Sequence, residues 1–136
     1  MREIKFRAWS NYEQKYYYNI GLINDNIYAD LGDNYGDENW QIIGSVFDDD
    51  FIIEQYTGIK DRKGFDIYEG DTIKYQDRNY SEVFGQGDVY YDDDDCMFKI
   101  RCNNVILFFM NLLNEELEVV GNIHNKEKEN DNNNSW

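Results

Sequence analysis

Proline is absent from the 136 residues, so the turns must be made from Gly, Asn and Asp. Cysteine is scarce. Cys96 and Cys102 are the only two, too few for a disulfide framework and without the CxxC or His-rich context of a zinc site. Both are expected to be thiols in a reducing compartment. His124 is the only histidine, which limits cysteine-based nucleophilic chemistry to Cys96 or Cys102 with that one base. Positive charge is also short, with 13 Lys and Arg against 28 Asp and Glu and a formal net charge of -15. Such a balance opposes the phosphate attraction behind most non-specific nucleic-acid binding and repels an anionic membrane surface. No apolar run approaches the roughly 20 residues that span a bilayer; the longest covers 105–110, with Leu112 and Leu113 beyond it. The opening MREIKFR alternates charged and apolar residues and lacks the hydrophobic stretch of an export signal. A cytoplasmic protein with no direct contact to nucleic acid or membrane is expected.

What is present is enough for a core. Hydrophobic residues make up 41% and aromatics 17%, including 12 Tyr and 8 Phe, which separates the chain from disordered, highly charged sequences. Its length fits one compact domain over 1–124, with 1–57 and 58–124 as possible lobes. The final stretch, 125–136, is Asn, Lys, Glu and Asp with one terminal Trp, and reads as a frayed polar tail. Asn, Asp, Tyr, Ile and Lys are abundant; their codons are rich in A and T, which points to an AT-rich genome.

Period-two alternation dominates the chain. Ile4, Phe6 and Ala8 alternate with Glu3, Lys5 and Arg7 and predict a half-buried strand over 2–9. A second strand is expected over 16–20, with a bend at Asn24-Asp25-Asn26 before Ile27-Tyr28. The segment 30–39, DLGDNYGDEN, reads as a long exposed loop. Trp40, Ile42, Ile43, Val46 and Phe47 fit a short helix or a strand. Further on, Cys96, Phe98, Ile100 and Cys102 alternate with Met97, Lys99 and Arg101, so both thiols are expected to face the core. The stretch 105–113 fits either a short buried helix or a strand followed by a tight helical turn. A last strand follows through Leu117 and Val119.

The segment QYTGIKDRKGFDIYEGDTIKY, 55–75, has the density of charge and glycine that a binding signature would have. It also parses as strand, turn, short strand, turn, strand. Gly58 opens the first turn, Lys60-Asp61-Arg62-Lys63 forms its tip, Gly64 closes it, and Glu69-Gly70-Asp71 makes the second. Gly58, Gly64, Gly70 and Asp71 are therefore read as structural turn positions, with the glycines where the backbone needs positive φ.

Other clusters carry weaker signals. Asp92, Asp93, Asp94 and Asp95 are candidate ligands for a hard cation, since loop carboxylates can converge, but the spacing is not that of an EF-hand, and a solvated hairpin loop is the simpler reading. No metal or other cofactor is expected. Gly85-Gln86-Gly87 lacks the third glycine of a phosphate-binding loop and reads as a turn or bulge. Tyr35 and Trp40 are candidate anchors for a protein partner, as exposed aromatics can be, with core packing the simpler reading of Trp40. Paired carboxylates for acid-base catalysis are uninformative among so many acidic residues.

Ile53-Glu54-Gln55-Tyr56-Thr57-Gly58, followed by Asp61, Lys63-Gly64, Ile67-Tyr68-Glu69-Gly70-Asp71 and Ile73-Lys74, resembles the YopX family of phage and prophage proteins. Arg2-Glu3-Ile4-Lys5-Phe6-Arg7-Ala8-Trp9 resembles that family's opening motif, and Leu117-Glu118-Val119-Val120-Gly121-Asn122-Ile123-His124 its closing one. At the end the chain departs: the family commonly continues into a proline-containing stretch where Asn125-Lys126-Glu127 stands here. The resemblance implies a small β-rich protein of a bacteriophage or prophage in a low-GC bacterium, without an assigned activity. The strand pattern after Glu69, with a short helical turn before the last strand, also resembles an SH3-type barrel, an analogy of fold alone.

The expectation is a mainly β, β-rich α+β fold with few short helices, an N-terminal β-meander lobe packed with an SH3-like barrel. Its expected role is a non-enzymatic module that binds a host or phage protein, with self-association left open. The alternatives are a mimic of DNA charge that inhibits a DNA-handling or defence protein, and a metal-assisted enzyme using loop carboxylates.

Overall fold

The computed structural model describes residues 3–76, 84–103, 105–109 and 112–125. The fold is mainly β, made of curled antiparallel sheets, and helical structure among the described residues is confined to 3-10 turns. The chain divides into two compact units, Met1–Tyr56 and Thr57–Trp136. Strand β6, Phe51–Lys60, begins in the first and ends in the second.

In the first unit, β1 (Phe6–Ser10) lies between β2 (Lys15–Tyr18) and the first part of β6, antiparallel to both. Strands β3 (Gly21–Ile23), β4 (Asn26–Asp30) and β5 (Trp40–Ser45) form a separate three-stranded meander. The β3–β4 hairpin turns on Asn24 and Asp25 at φ 49° and 67°. Two consecutive positive φ values match the twist of the flanking strands, and Asn and Asp reach that region more readily than other non-glycine residues. Ala8, Ile20, Ile27 and Ala29 form the buried centre, with Phe6, Tyr17, Ile43, Val46, Phe51 and Ile53 packed around them.

The expected half-buried first strand is corrected in two ways. It starts at Phe6, leaving Ile4 exposed, and its charged face is not solvated, because Arg7 is buried. Glu54 and Tyr16, on the strands either side, supply the polar partners that burial of a guanidinium requires.

In the second unit, β7 (Asp66–Tyr68) pairs with the end of β6, and β8 (Asp71–Gln76), β9 (Phe84–Asp92), β10 (Met97–Cys102), β11 (Val105–Phe108) and β12 (Leu117–Asn122) form a five-stranded sheet ordered β11-β10-β9-β8-β12. Its core is Ile67, Ile73, Val89, Ile100, Cys102 and Leu117. Of the two readings of 105–113, the strand is found over Val105–Phe108, and a 3-10 turn at Asn114–Glu116 precedes β12.

Several local expectations change here. Gly58, at φ 87°, sits inside β6 and opens no turn. The Thr57 hydroxyl donates to the Ile67 carbonyl and accepts from the Ile59 amide, carrying the pairing past it. The turn instead runs from Asp61, whose amide donates to the Phe65 carbonyl. Gly85 and Gly87 are interior to β9, neither turn nor bulge, opposite Tyr75 and Ile73. A Cβ on Gly85 would stand 2.6 Å from the Tyr75 hydroxyl, and one on Gly87 would run into Cys102 Sγ. Close approach of neighbouring side chains, not a bend, is why glycine stands at both. The polar tail expected over 125–136 lies outside the described residues from 126 onward.

Candidate interaction surface

On β4, Ile27 and Ala29 point into the core, so Asn26, Tyr28 and Asp30 occupy the opposite face. Pairing places Gly21 and Ile42 beside Tyr28, Ile23 beside Asn26, and Trp40 beside Asp30. The outer face of the meander therefore carries Ile23, Tyr28, Trp40 and Ile42 together. Ile23 and Ile42 are each 57% exposed and Trp40 47%. Trp40 is thus no core residue, against the simpler reading of its sequence. Its indole N–H donates to Glu38 Oε2 at 3.1 Å, which ties the polar edge of the ring to an acidic neighbour and leaves its apolar body accessible.

The loop 31–39 that leads into Trp40 is exposed and built on its own carboxylates. Asp30 Oδ1 accepts from the amides of Gly32 and Asn39 across the base of the loop, and Asp33 Oδ1 accepts from those of Tyr35 and Asp37 at its tip. Tyr35, 89% exposed, stands on that tip. These acceptors explain the density of Asp in DLGDNYGDEN as turn chemistry.

No Lys or Arg occurs between Lys15 and Lys60, whereas that stretch holds Asp25, Asp30, Asp33, Asp37, Glu38, Asp48, Asp49, Asp50 and Glu54. Among the described residues, only Glu54 of these meets a cation within the unit, through Arg7. The meander and its loops therefore present an apolar patch in a field of one sign.

The second acidic cluster is arranged differently. Lys99, whose side chain is buried, donates through Nζ to Asp92 Oδ2 at 2.7 Å and to Asp95 Oδ2, and its ammonium lies 5.0 Å from the centre of the Phe108 ring. The hydrogen bond from Lys99 holds the Asp92 carboxyl below its usual range, and Asp92 and Asp95 together push the Lys99 ammonium up. A covalently attached cation thus takes up two of the four candidate ligands, Asp92, Asp93, Asp94 and Asp95. Among the described residues, no group of three or more His, Cys, Asp or Glu is placed to hold a metal ion.

Asp61 and Asp71 serve the backbone. Asp61 Oδ1 accepts from the amides of Lys63 and Phe65 and its Oδ2 from that of Val119, joining the turn to β12. Asp71 Oδ2 accepts from the Tyr68 amide across the turn at Gly70, where φ is 87°. The two thiols part company, contrary to the expected shared face. Cys96 precedes β10 at φ 53° and is exposed, because the acidic turn ends on it in the left-handed region. Cys102 is buried, and that burial pushes its thiol pKa up, which disfavours the thiolate a nucleophile requires.

Sequence reasoning picked out Tyr35 and Trp40 but not Ile23, Tyr28 or Ile42. The signal was in the sequence: Trp40 and Ile42 stand two apart, within a stretch free of basic residues.

The three motifs of the sequence thus lie on β1, on the β6–β8 turns and on β12. The family described as YopX protein matches residues 5–128. The chain belongs to the YopX family. No curated protein matches it. Among solved structures, this YopX chain is similar to the crystal structure of protein EF1440 from Enterococcus faecalis, with 27% sequence identity, a TM-score of 0.64, and coverage of 94% of this chain and 99% of that one. No helix among the described residues of the YopX chain is long and apolar enough to cross a membrane.

Proposed function

We propose that this YopX-family chain is a phage or prophage accessory protein that binds a host or phage macromolecule without catalysing a reaction. The observation that carries this reading is the exposed Trp40, with Tyr35 on the neighbouring loop, in a stretch with no Lys or Arg from residue 16 to 59. Trp and Tyr are enriched among the side chains that anchor protein interfaces. A surface charge of one sign selects a partner of the other and speeds its encounter. The partner is then a basic protein. The second unit supports the SH3-type analogy through the 3-10 turn before β12 and the return of β12 to pair with β8; that analogy assigns no activity.

The test is a pull-down from nuclease-treated lysate of an AT-rich Gram-positive host, washed at low and moderate salt, comparing the parent with a Tyr35→Ala, Trp40→Ala variant. One basic protein enriched by the parent, released at moderate salt and not retained by the variant is the expected result. Equal capture by parent and variant, or no capture, overturns the reading.

The net charge of -15 favours a second, narrower reading, in which the acidic surface mimics DNA and occupies the basic groove of a DNA-handling or defence protein. Competition by duplex DNA for the captured partner is its expected mark. A partner that binds this chain and DNA together would overturn it.

A further inference from the structure

β5 closes one side of the meander: the sheet order is β3-β4-β5, and among the described residues β4 is its strand neighbour. An edge strand presents a row of backbone donors and acceptors to any segment that can lie beside it. At six residues, β5 is the longest strand of that sheet. Its outward side chains, Trp40 and Ile42, continue the apolar face of Tyr28 and Ile23. Acidic residues stand at both ends of the strand, Asp37 and Glu38 before it and Asp48 and Asp49 after it.

From these observations we infer that β5 accepts an extended cationic segment of a partner protein as an added strand, with apolar side chains at alternate positions beside Trp40 and Ile42, and Lys or Arg at both ends. This rests on the binding reading above and names the partner's chemistry. The period follows from the strand: neighbours on one face recur every second residue, about 3.3 Å apart per residue, so a segment of about seven residues spans β5 and reaches both acidic ends. Main-chain hydrogen bonds supply affinity in this mode, and alternate side chains supply selectivity. A second copy is a poor occupant, because pairing β5 with β5 sets two base-free acidic surfaces against each other.

The experiment selects a random heptapeptide library on the full chain, with counter-selection on the Trp40→Ala variant. The best peptide is then titrated into isotope-labelled protein. Expected are peptides with two apolar residues two positions apart and Lys or Arg at the ends, amide shift changes concentrated on residues 40–45, and at least tenfold weaker binding when alternate peptide amides are N-methylated. N-methylation removes donors from the peptide and leaves the protein untouched, so folding of a variant does not enter that comparison. Enriched peptides without basic residues, shifts elsewhere, unchanged affinity after N-methylation, or no enrichment each overturn the inference. Concentration-dependent dimerisation abolished by Trp40→Ala also overturns it, in favour of a second copy. If the pull-down yields a Trp40-dependent basic protein while the peptide results fail, strand addition falls and the broader binding reading stands.

Discussion

Arg7 Nε donates to Glu54 Oε1 at 2.8 Å, across 47 positions of sequence, with both side chains buried. The Tyr16 hydroxyl donates to the same carboxylate oxygen at 2.9 Å, and the Tyr16 ring lies 4.0 Å under the guanidinium. Three adjacent strands, β2, β1 and β6, are thus joined on one side by a polar cluster whose members satisfy one another.

Breaking that cluster from one side leaves a buried charge without its partner. Arg7→Met or Glu54→Leu alone is expected to destabilise by about 3–5 kcal/mol, whereas the double substitution to apolar residues costs clearly less. Urea unfolding of the four proteins of the cycle measures the difference. Additive costs, with the double equal to the sum of the two singles, would show that Arg7 and Glu54 are not coupled in stability.

Lys99 with Asp92 and Asp95 predicts a pH dependence of the second unit. Asp92 is held below its ordinary pKa, so its contribution is present above the unfolded carboxylate value of about 3.9 and is lost as pH falls through the lower folded value. Lys99 is held above its ordinary value, so its contribution is complete below about 10.4 and is lost as pH rises beyond it. Lys99→Met should therefore lower the melting temperature at pH 7 and reduce the further loss between pH 5 and pH 2. Parallel melting curves for parent and variant across that range would contradict the clamp.

Asp61 carries three backbone amides on one buried carboxylate. Asp61→Ala leaves these donors without it and is expected to cost about 1–3 kcal/mol or more. Asp61→Asn keeps one acceptor but turns an N–H₂ group towards at least one amide donor, so it should rescue only part of the loss. Denaturant melts of both variants check this; full rescue by Asn would mean that the amide of Val119 does not depend on Asp61.

Gly87 and the two cysteines give a packing prediction. A methyl group at Gly87 meets Cys102 Sγ and stands 2.6 Å from the Arg101 carbonyl oxygen, so Gly87→Ala should destabilise by about 1–3 kcal/mol. In the native parent an aromatic disulfide reagent should modify Cys96 rapidly and Cys102 only on unfolding, since one is exposed and the other buried. Faster labelling of Cys102 in Gly87→Ala, read by mass spectrometry, would show the local loosening directly. Rapid labelling of both thiols in the parent would contradict the burial of Cys102.

Much of this structure follows from local pattern. Alternation in β4 and β12, the Asn24-Asp25 hairpin, the Asp-rich loop before Trp40 and the β-rich class are consequences of side-chain period and of which residues tolerate positive φ. The absence of Lys and Arg between residues 15 and 60 likewise fixes the sign of charge on the candidate surface from the sequence alone. Only the tertiary structure decided what each polar residue faces. Arg7 looked solvated because nothing local announces Glu54, 47 residues away. It takes the β9–β10 hairpin to bring the Lys99 ammonium among the carboxylates of the acidic turn. Cys96 left the core when the turn before β10 took it into the left-handed region, and Trp40 stayed out of the core because strand register sends alternate side chains to opposite faces. Period and turn chemistry act over a few residues and can be read along the chain; partners for buried charge, and the face an aromatic finally shows, are set by pairing between distant strands.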